Sequence, residues 1–600
     1  MSSAKKKSHR FQKKNPQHGA SPVRPRSIQR TWPERLEACI GWLVCCMVVI
    51  SPLVFHARSM NFADLPQRTF LQCAVALFGT LGLMRAAVLR SCLVPRDICS
   101  CAAAVFACWA VASVAWSSSP YDALYASLHW AACAFAVLGV VAWLHQDAWL
   151  KRFSAAIICA GSLVSAVAFA QLFFGMRRIP SVKVPSAAFA NPNVLAEFLG
   201  MTFIFTLCAG WFVRRRPLLS AACWSSAAAQ VVVLYYTTCR AAWLAIVIAM
   251  LWGAVLLVKR TRGWRWAGPV VLCVLCMIIV AGATLPAKPG MNRLLDGSAR
   301  YRLIVWDNTL ELVKQRPFTG YGAGSFPYMY GAVVNTYQSD SSFGKTVQIR
   351  RAHNDFLQAA VELGLPGSAL LLVFLGGVLI LSLRLMVEQA TVCERFVLHA
   401  ASGALLACLV TSFFGFSLQR AVTPFLAFLS AGMVIAIYCR RQTSFVCIRR
   451  QGVLAAAVLL AAVAGIVVLR FNLAIIESDG FYKRALAMER RGNNAKALAW
   501  SQRAHKACPG RMDVLTTVGR AYVTTGRLGE GIEALETVTT RQPYHLNALF
   551  ILGAAYANAG RSAEALETFR RVLTIKPDFV EAQRIVSRLK SQGRVKVNFK

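Results

Sequence analysis

The chain reads as all-α: a polytopic transmembrane helix bundle of about 12–13 spans, a long external loop, and a C-terminal solenoid of helical repeats. Three observations point there. Of 600 residues 56% are apolar, with a mean hydropathy of +0.50. Apolar runs of about eighteen residues or more recur, long enough at roughly 1.5 Å per residue to cross a hydrocarbon core. Beyond Ser478, glycines at 492, 526 and 560 and prolines at 509, 543 and 577 repeat with a 34-residue period.

Residues 1–35 carry ten lysines and arginines and no acidic residue before Glu34, a composition that predicts a disordered basic cytoplasmic tail. The run 36–55 is long enough to span, so it reads as a retained first helix rather than a cleaved leader. Thirteen spans follow from the apolar runs: 36–55, 69–88, 98–116, 123–144, 153–174, 195–213, 218–236, 241–258, 266–285, 366–387, 396–416, 422–439 and 452–471. With the N-terminus inside, the loops around Arg90, Lys151, Arg214 to Arg216, Lys259 to Arg265, Arg395 and Arg440 to Arg450 are basic and cytoplasmic. Arg177, Arg178 and Lys183 break that rule in an external loop. The segment 286–365 and everything after Phe471 then lie outside.

The formal charge of +40 sits mostly in those short loops, as an anionic leaflet explains, so nucleic acid is not an expected partner. Of the twenty cysteines nearly all lie in apolar runs, where they act as small packing residues. No CxxC pair has a matching pair or histidines at zinc spacing, so neither a metal site nor a disulfide framework is expected.

The period beyond Ser478 resembles the tetratricopeptide repeat, with Gly519 and Gly553, and Tyr522 and Tyr556, extending it. Three repeats cover 478–579, residues 580–590 supply a polar capping helix, and the whole unit runs over 478–595. In such repeats a glycine permits close helix packing and the proline closes the second helix. Their concave faces bind peptides or proteins of many kinds, which makes an envelope protein a candidate partner.

Chemistry needs water, polar groups and titratable side chains together, and the segment from Arg300 to Gly367 offers all three. Leu303, Trp306, Leu310 and Val313 recur at helical spacing, so 302–313 reads as an amphipathic helix. Pro317 ends it, and Thr319 to Ser325 form a glycine-rich turn, either a simple tight turn or one whose amides approach a phosphate. A second helix is expected from His353 to Leu363, stopped by Gly364 and Pro366. There the positive end of the macrodipole favours a neutral imidazole, able to accept a proton.

The segments FANPNVLAEFLG (189–200), TTCRAAWLAIV (237–247), RLIVW (302–306), RPFTGYGAGSF (316–326) and AHNDFLQAAVELGLPG (352–367) resemble the successive signatures of the O-antigen ligase and polymerase superfamily. The resemblance covers roughly 36–440, within an O-antigen ligase-like region expected over 36–471. It implies a glycosyltransferase of the bacterial inner membrane that uses an undecaprenyl diphosphate-linked glycan and needs neither metal nor other cofactor. By the same resemblance His353 is the general base, and Arg240 and Arg302 bind the diphosphate. Arg351 stands where the family often has histidine and adds a phosphate contact or replaces an acceptor contact. Cys239 stands where a serine commonly precedes the arginine. Asn191 and Asn193 either line the cavity or start a helix.

Within this class the acceptor is a lipid, a glycan or a protein, the last two corresponding to a repeat-unit polymerase and a protein O-oligosaccharyltransferase. From another class comes a membrane-anchored tetratricopeptide-repeat scaffold or a transporter. Few ionisable residues fall inside the spans, which argues against coupled transport.

Overall fold

The computed structural model describes residues 31–176, 178–181, 183–261, 297–333, 349–388, 390–592 and 597. The expected tail over 1–30, the span at 266–285, Arg177 and the stretches 286–296 and 334–348 of the external segment lie outside the described residues. Helices dominate: α1 Trp32–Ile50, α2 Asp64–Val88, α3 Ile98–Ala112, α4 Pro120–Trp143, α5 Asp147–Phe173, α6 Pro192–Phe212, α7 Pro217–Thr237 and α8 Arg240–Thr261. After α9 Gly297–Gln315 come α10 Asp355–Val387, α11 Val392–Phe414, α12 Val422–Gln442 and α13 Gln451–Arg490. Among the described residues eleven helices are long and apolar enough to cross a membrane, and α8 is a shorter apolar one. Twelve of the thirteen expected spans therefore appear as helices.

Local chemistry sets the helix starts. α4, α6 and α7 begin on prolines, whose missing N–H costs nothing in a first turn. The Asp97 carboxylate accepts the N–H groups of Cys99 and Ser100 to cap α3, and Thr391 and Glu394 form a capping box on α11. α6 and α12 sit deepest, with Phe198, Phe205 and Phe428 fully enclosed. α13 is the opposite case, exposing Leu459, Leu460, Val463 and Ile466 along its span. Lipid is the solvent that suits such a face.

The connecting segments separate into two ends, as alternating spans require. At one end Glu37 meets Arg85 at 2.6 Å and Trp149 at 3.0 Å, and Glu394 bridges Arg440 and Arg441 at 2.8 and 2.7 Å. A short ribbon there pairs β1 Cys92–Pro95 antiparallel with β2 Phe445–Ile448, an element the all-α expectation omits. Its four-residue strands are too short for a periodic signal. At the other end Gln67 reaches Ala188, Arg68 reaches Gln419, and Ala421 donates to Asp64. Arg178 and Lys183 are exposed in the 174–191 loop that joins this second group.

α13 continues without a break from its span into the repeats, followed by α14 Asn494–Ala507, α15 Met512–Thr524, α16 Leu528–Arg541, α17 Leu546–Asn558, α18 Ser562–Ile575 and α19 Val580–Gln592. The periodic Gly492, Gly526 and Gly560 all have φ between 72° and 83°, so the turn conformation selects them, rather than helix contact. Close packing falls to Gly519, where a Cβ would lie 2.7 Å from Leu535. Gly526 has open space around it, so Gly526→Ala should destabilise by about 1–2 kcal/mol purely through backbone conformation. Gly529→Ala, helical and equally unhindered, should cost nothing. Thermal unfolding of the full chain in detergent checks both; equal losses would contradict the conformational account.

Candidate functional site

His353 and the groups around it gather at the end of the bundle that carries the external segment. α9 packs on a small apolar core of Val305, Leu312, Val313, Tyr321, Phe326, Tyr330, Ala352 and Val361. Only part of the apolar stripe, Trp306 and Val313, faces protein. Leu303 and Leu310 point away and are 52% and 45% exposed, while Val305, Asn308, Thr309 and Leu312 turn inward. The helix is apolar on two sides, and hydrophobic spacing alone does not say which side meets protein. Trp306 packs its ring on Phe413 at the end of α11 (centroids 5.6 Å) and donates to the Ala352 carbonyl at 3.1 Å.

That bond ties α9 to the residue before His353. His353 itself is not helical: its φ is +54°, a left-handed backbone rare outside glycine, and α10 begins two residues later. Asn354 supplies the N-cap, accepting the N–H groups of Phe356 and Leu357 at 3.0 Å each. The helix does not stop at Gly364 either; it kinks there (φ 71°, ψ 175°) and runs on into the span. The imidazole lies between Tyr301 (centroids 5.9 Å) and Phe416 (5.3 Å), both edge to face. Burial lowers its pKa to about 4, and the charges of Arg302 and Arg351 act the same way. The ring is neutral near pH 7, as expected, but desolvation and two guanidinium groups are the cause rather than the macrodipole.

Arg302, Arg351 and His353 thus come together. Arg351 donates to Gln419 Oε1 at 3.0 Å and is held below the usual arginine range by burial first and then by the like charge of Arg420. Arg240 opens α8, directly after Cys239. Burial raises the Cys239 thiol to about 11, with Glu197 adding to the shift and Arg302 opposing it, so the start of α8 borders the same site. Asn191 caps α6, its side chain accepting the Asn193 N–H at 2.8 Å, and Asn193 is exposed. The observed role of this pair is helix initiation.

Sequence reasoning missed several neighbours. Arg420 stacks over Phe416 at 4.6 Å, the ring that touches His353. Arg68 is 6% exposed, pairs with Asp64 at 3.5 Å, stacks over Tyr125 and donates to the Gln419 carbonyl. Glu197 is buried with one carboxylate oxygen unpartnered. A charged residue inside an apolar span was the available signal for Glu197, whereas Arg68 falls one residue before the run 69–88.

The glycine-rich turn is structural. Tyr321 and Gly322 donate to the Val361 and Glu362 carbonyls at 2.9 and 2.8 Å, and Ala323 donates to Ser113 Oγ at 3.0 Å. Glu362 accepts from the amides of Gly324 and Phe326 and from Gln358. With those N–H groups engaged, the turn leaves no cradle for a phosphate. Among the described residues no cluster of three or more His, Cys, Asp or Glu could hold a metal.

The bundle and the site define a multi-pass membrane protein with a polar, arginine-rich centre at one end and a helical-repeat solenoid behind it. Residues 225–372 match the family profile described as O-Antigen ligase, and residues 518–578 match a tetratricopeptide repeat. The chain thus carries a membrane segment similar to the O-antigen ligase family and, C-terminal to it, a segment similar to tetratricopeptide repeats. No curated protein matches it. One similar solved structure is the crystal structure of the APC/C hetero-tetramer Cut9-Hcn1, at 10% identity over 87% of this chain and 95% of that one, with a TM-score of 0.20. A score that low carries no argument.

The depressed pKa has a sign. Since the folded value lies below the ordinary 6.5, the unfolded chain takes up a proton that the folded one refuses, and stability falls as the pH drops from 6.5 towards about 4. NMR of histidine-labelled protein should find His353 titrating near pH 4, and Arg302→Gln should move that midpoint upward. An unmoved midpoint would remove Arg302 from the ring's surroundings.

Proposed function

We propose that the chain is a glycosyltransferase moving a glycan from an undecaprenyl diphosphate carrier to an acceptor hydroxyl at the outer face of the bacterial inner membrane. The observation that carries this reading is the convergence of a neutral His353 with Arg302 and Arg351 at one end of the bundle. The donor head group binds at the guanidinium groups of Arg302 and Arg240, whose fixed positive charge suits a diphosphate. The acceptor oxygen attacks the anomeric carbon while His353 takes its proton. The bond from that carbon to the phosphate oxygen breaks, and its electron pair leaves with the carrier diphosphate. One displacement of this kind inverts the anomeric centre. The arginines stabilise charge as it grows on the leaving group, and no step calls on a metal.

Arg351 lies beside the ring, where it contacts the acceptor or a further phosphate oxygen. Asn191 and Asn193 belong at the edge of the donor cavity, held by the start of α6. The N-terminus faces the cytoplasm, and the repeats face outward with the catalytic segment and bind an envelope protein. A polymerase or a protein O-oligosaccharyltransferase would share this chemistry and differ in acceptor, which product mass distinguishes.

His353→Ala should leave the protein in the membrane and reduce transfer by roughly 100- to 10,000-fold, the usual contribution of a general base. Purified protein, a carrier-linked glycan and candidate acceptors, with products weighed by mass spectrometry, provide the measurement. Full activity would refute the base. Arg302→Ala and Arg240→Ala should each raise the donor concentration needed for half-saturation, and normal saturation in both would leave the diphosphate grip unsupported.

A further inference from the structure

The repeats do not hang from the last span as a free arm. Asp479, 3% exposed, accepts the backbone N–H groups of Met60 and Asn61 at 2.7 and 3.1 Å and pairs with Arg511 at 3.2 Å. Lys483 donates to the carbonyls of Ala57 and Ser59. An apolar seam of Leu65, Ile475 and Cys508 with Tyr121 and Phe471 closes the junction. Groups this well buried and partnered are held in one arrangement.

The contact continues up the stack to the turn between α16 and α17. Gln542 is completely buried, not by its own repeat alone but by α4 and the loop before it: its amide donates to Asp122 at 3.1 Å and to Ser119 at 3.4 Å. Two residues on, Tyr544 lies so close to Gly331 that a Cβ there would come within 2.8 Å of the Tyr544 Cβ. Gly331 belongs to the turn Tyr330–Ala332, and the Tyr330 hydroxyl accepts from Asn308 of α9 at 3.0 Å. Tyr330 also shares the apolar core of Val305, about one helical turn after Arg302, and Ala352, the residue before His353. An unbroken line of contacts therefore runs from the repeat turn to α9.

We infer that the turn Arg541–His545 is a positioning element for the site: through Gln542 on Asp122 and Tyr544 on Gly331, the repeats hold α9, and with it Arg302, against the His353 segment. Electrostatics support the same route. Burial works to raise the Asp513 carboxyl, but Arg511 and, to a smaller degree, Arg350 hold it below the ordinary range, so the start of α15 also faces the segment leading to His353. Gln542 and Tyr544 act through other residues and are positioning residues. The catalytic role of Arg302 rests on the reading above, whereas the docking does not.

Hydrogen exchange on the full chain in nanodiscs tests it. The double variant Gln542→Ala, Tyr544→Ala should speed amide exchange in 297–333 by about tenfold while α14 and α15 keep their protection. Asp122→Asn with Gln542→Glu reverses the donor and acceptor in nearly the same shape, and should restore exchange to within about twofold of wild type where either single change does not. In the transfer assay the double Ala variant should lower kcat by about tenfold and the exchanged pair should recover it. Unchanged exchange in 297–333, failure of the exchanged pair to rescue, or accelerated exchange with wild-type kcat would each overturn the inference. A wild type that transfers no sugar, with exchange behaving as described, would retire the proposed reaction and leave the positioning contact standing.

Discussion

Two backbones meet at the kink of α10 more closely than any residue with a side chain allows. A Cβ on Gly364 would lie 2.1 Å from the Phe318 carbonyl oxygen, and one on Gly320 would lie 2.6 Å from the Glu362 carbonyl. Leu365 donates to Pro317 at 2.7 Å across the same gap, and Trp109 and Trp116 close it from α3 and its extension. This contact anchors the end of α9 to the start of a span. It adds to the Trp306–Ala352 hydrogen bond and the core shared by Val305 and Ala352, which hold the helix with Arg302 to the segment with His353.

The site assembled there is electrostatically expensive. Arg302 and Arg351 act on a half-buried imidazole, with Arg420 behind Phe416 and Arg68 close to Arg351, while Asp64 is engaged by Arg68 and the Ala421 amide and Glu362 by the glycine-rich turn. Guanidinium groups tolerate such surroundings because they stay charged, stack on rings and donate in fixed directions. The stacking of Arg68 on Tyr125 and of Arg420 on Phe416 is that solution in practice. A histidine under the same field loses its proton instead, which suits a proton acceptor.

The continuity of α13 gives the molecule its second level of order. A helix that leaves the bilayer and becomes the first repeat without a turn constrains where the solenoid sits, and Asp479 and Gln542 fasten it to loops far away in sequence. The small core of the external segment lies between solenoid and spans. The repeats and the membrane domain then share a common wall.

Much of this was legible in the residues themselves. Apolar run length specified the spans, since no water is available in lipid to satisfy an unfolded backbone, and a 34-residue period specified the solenoid. Ordered signatures around Arg240, Arg302 and His353 named residues that the fold brings to one end of the bundle. Folding alone decided the rest: the left-handed backbone at His353, the outward turn of Leu303 and Leu310, the engagement of the glycine-turn amides by Val361, Glu362 and Ser113, and the arrival of Arg420 on the ring of Phe416 that touches the imidazole. The reason is physical. Span and repeat formation depend on periodic burial within one stretch of chain, whereas backbone strain, charge proximity and the choice of facing surface depend on contacts between stretches hundreds of residues apart.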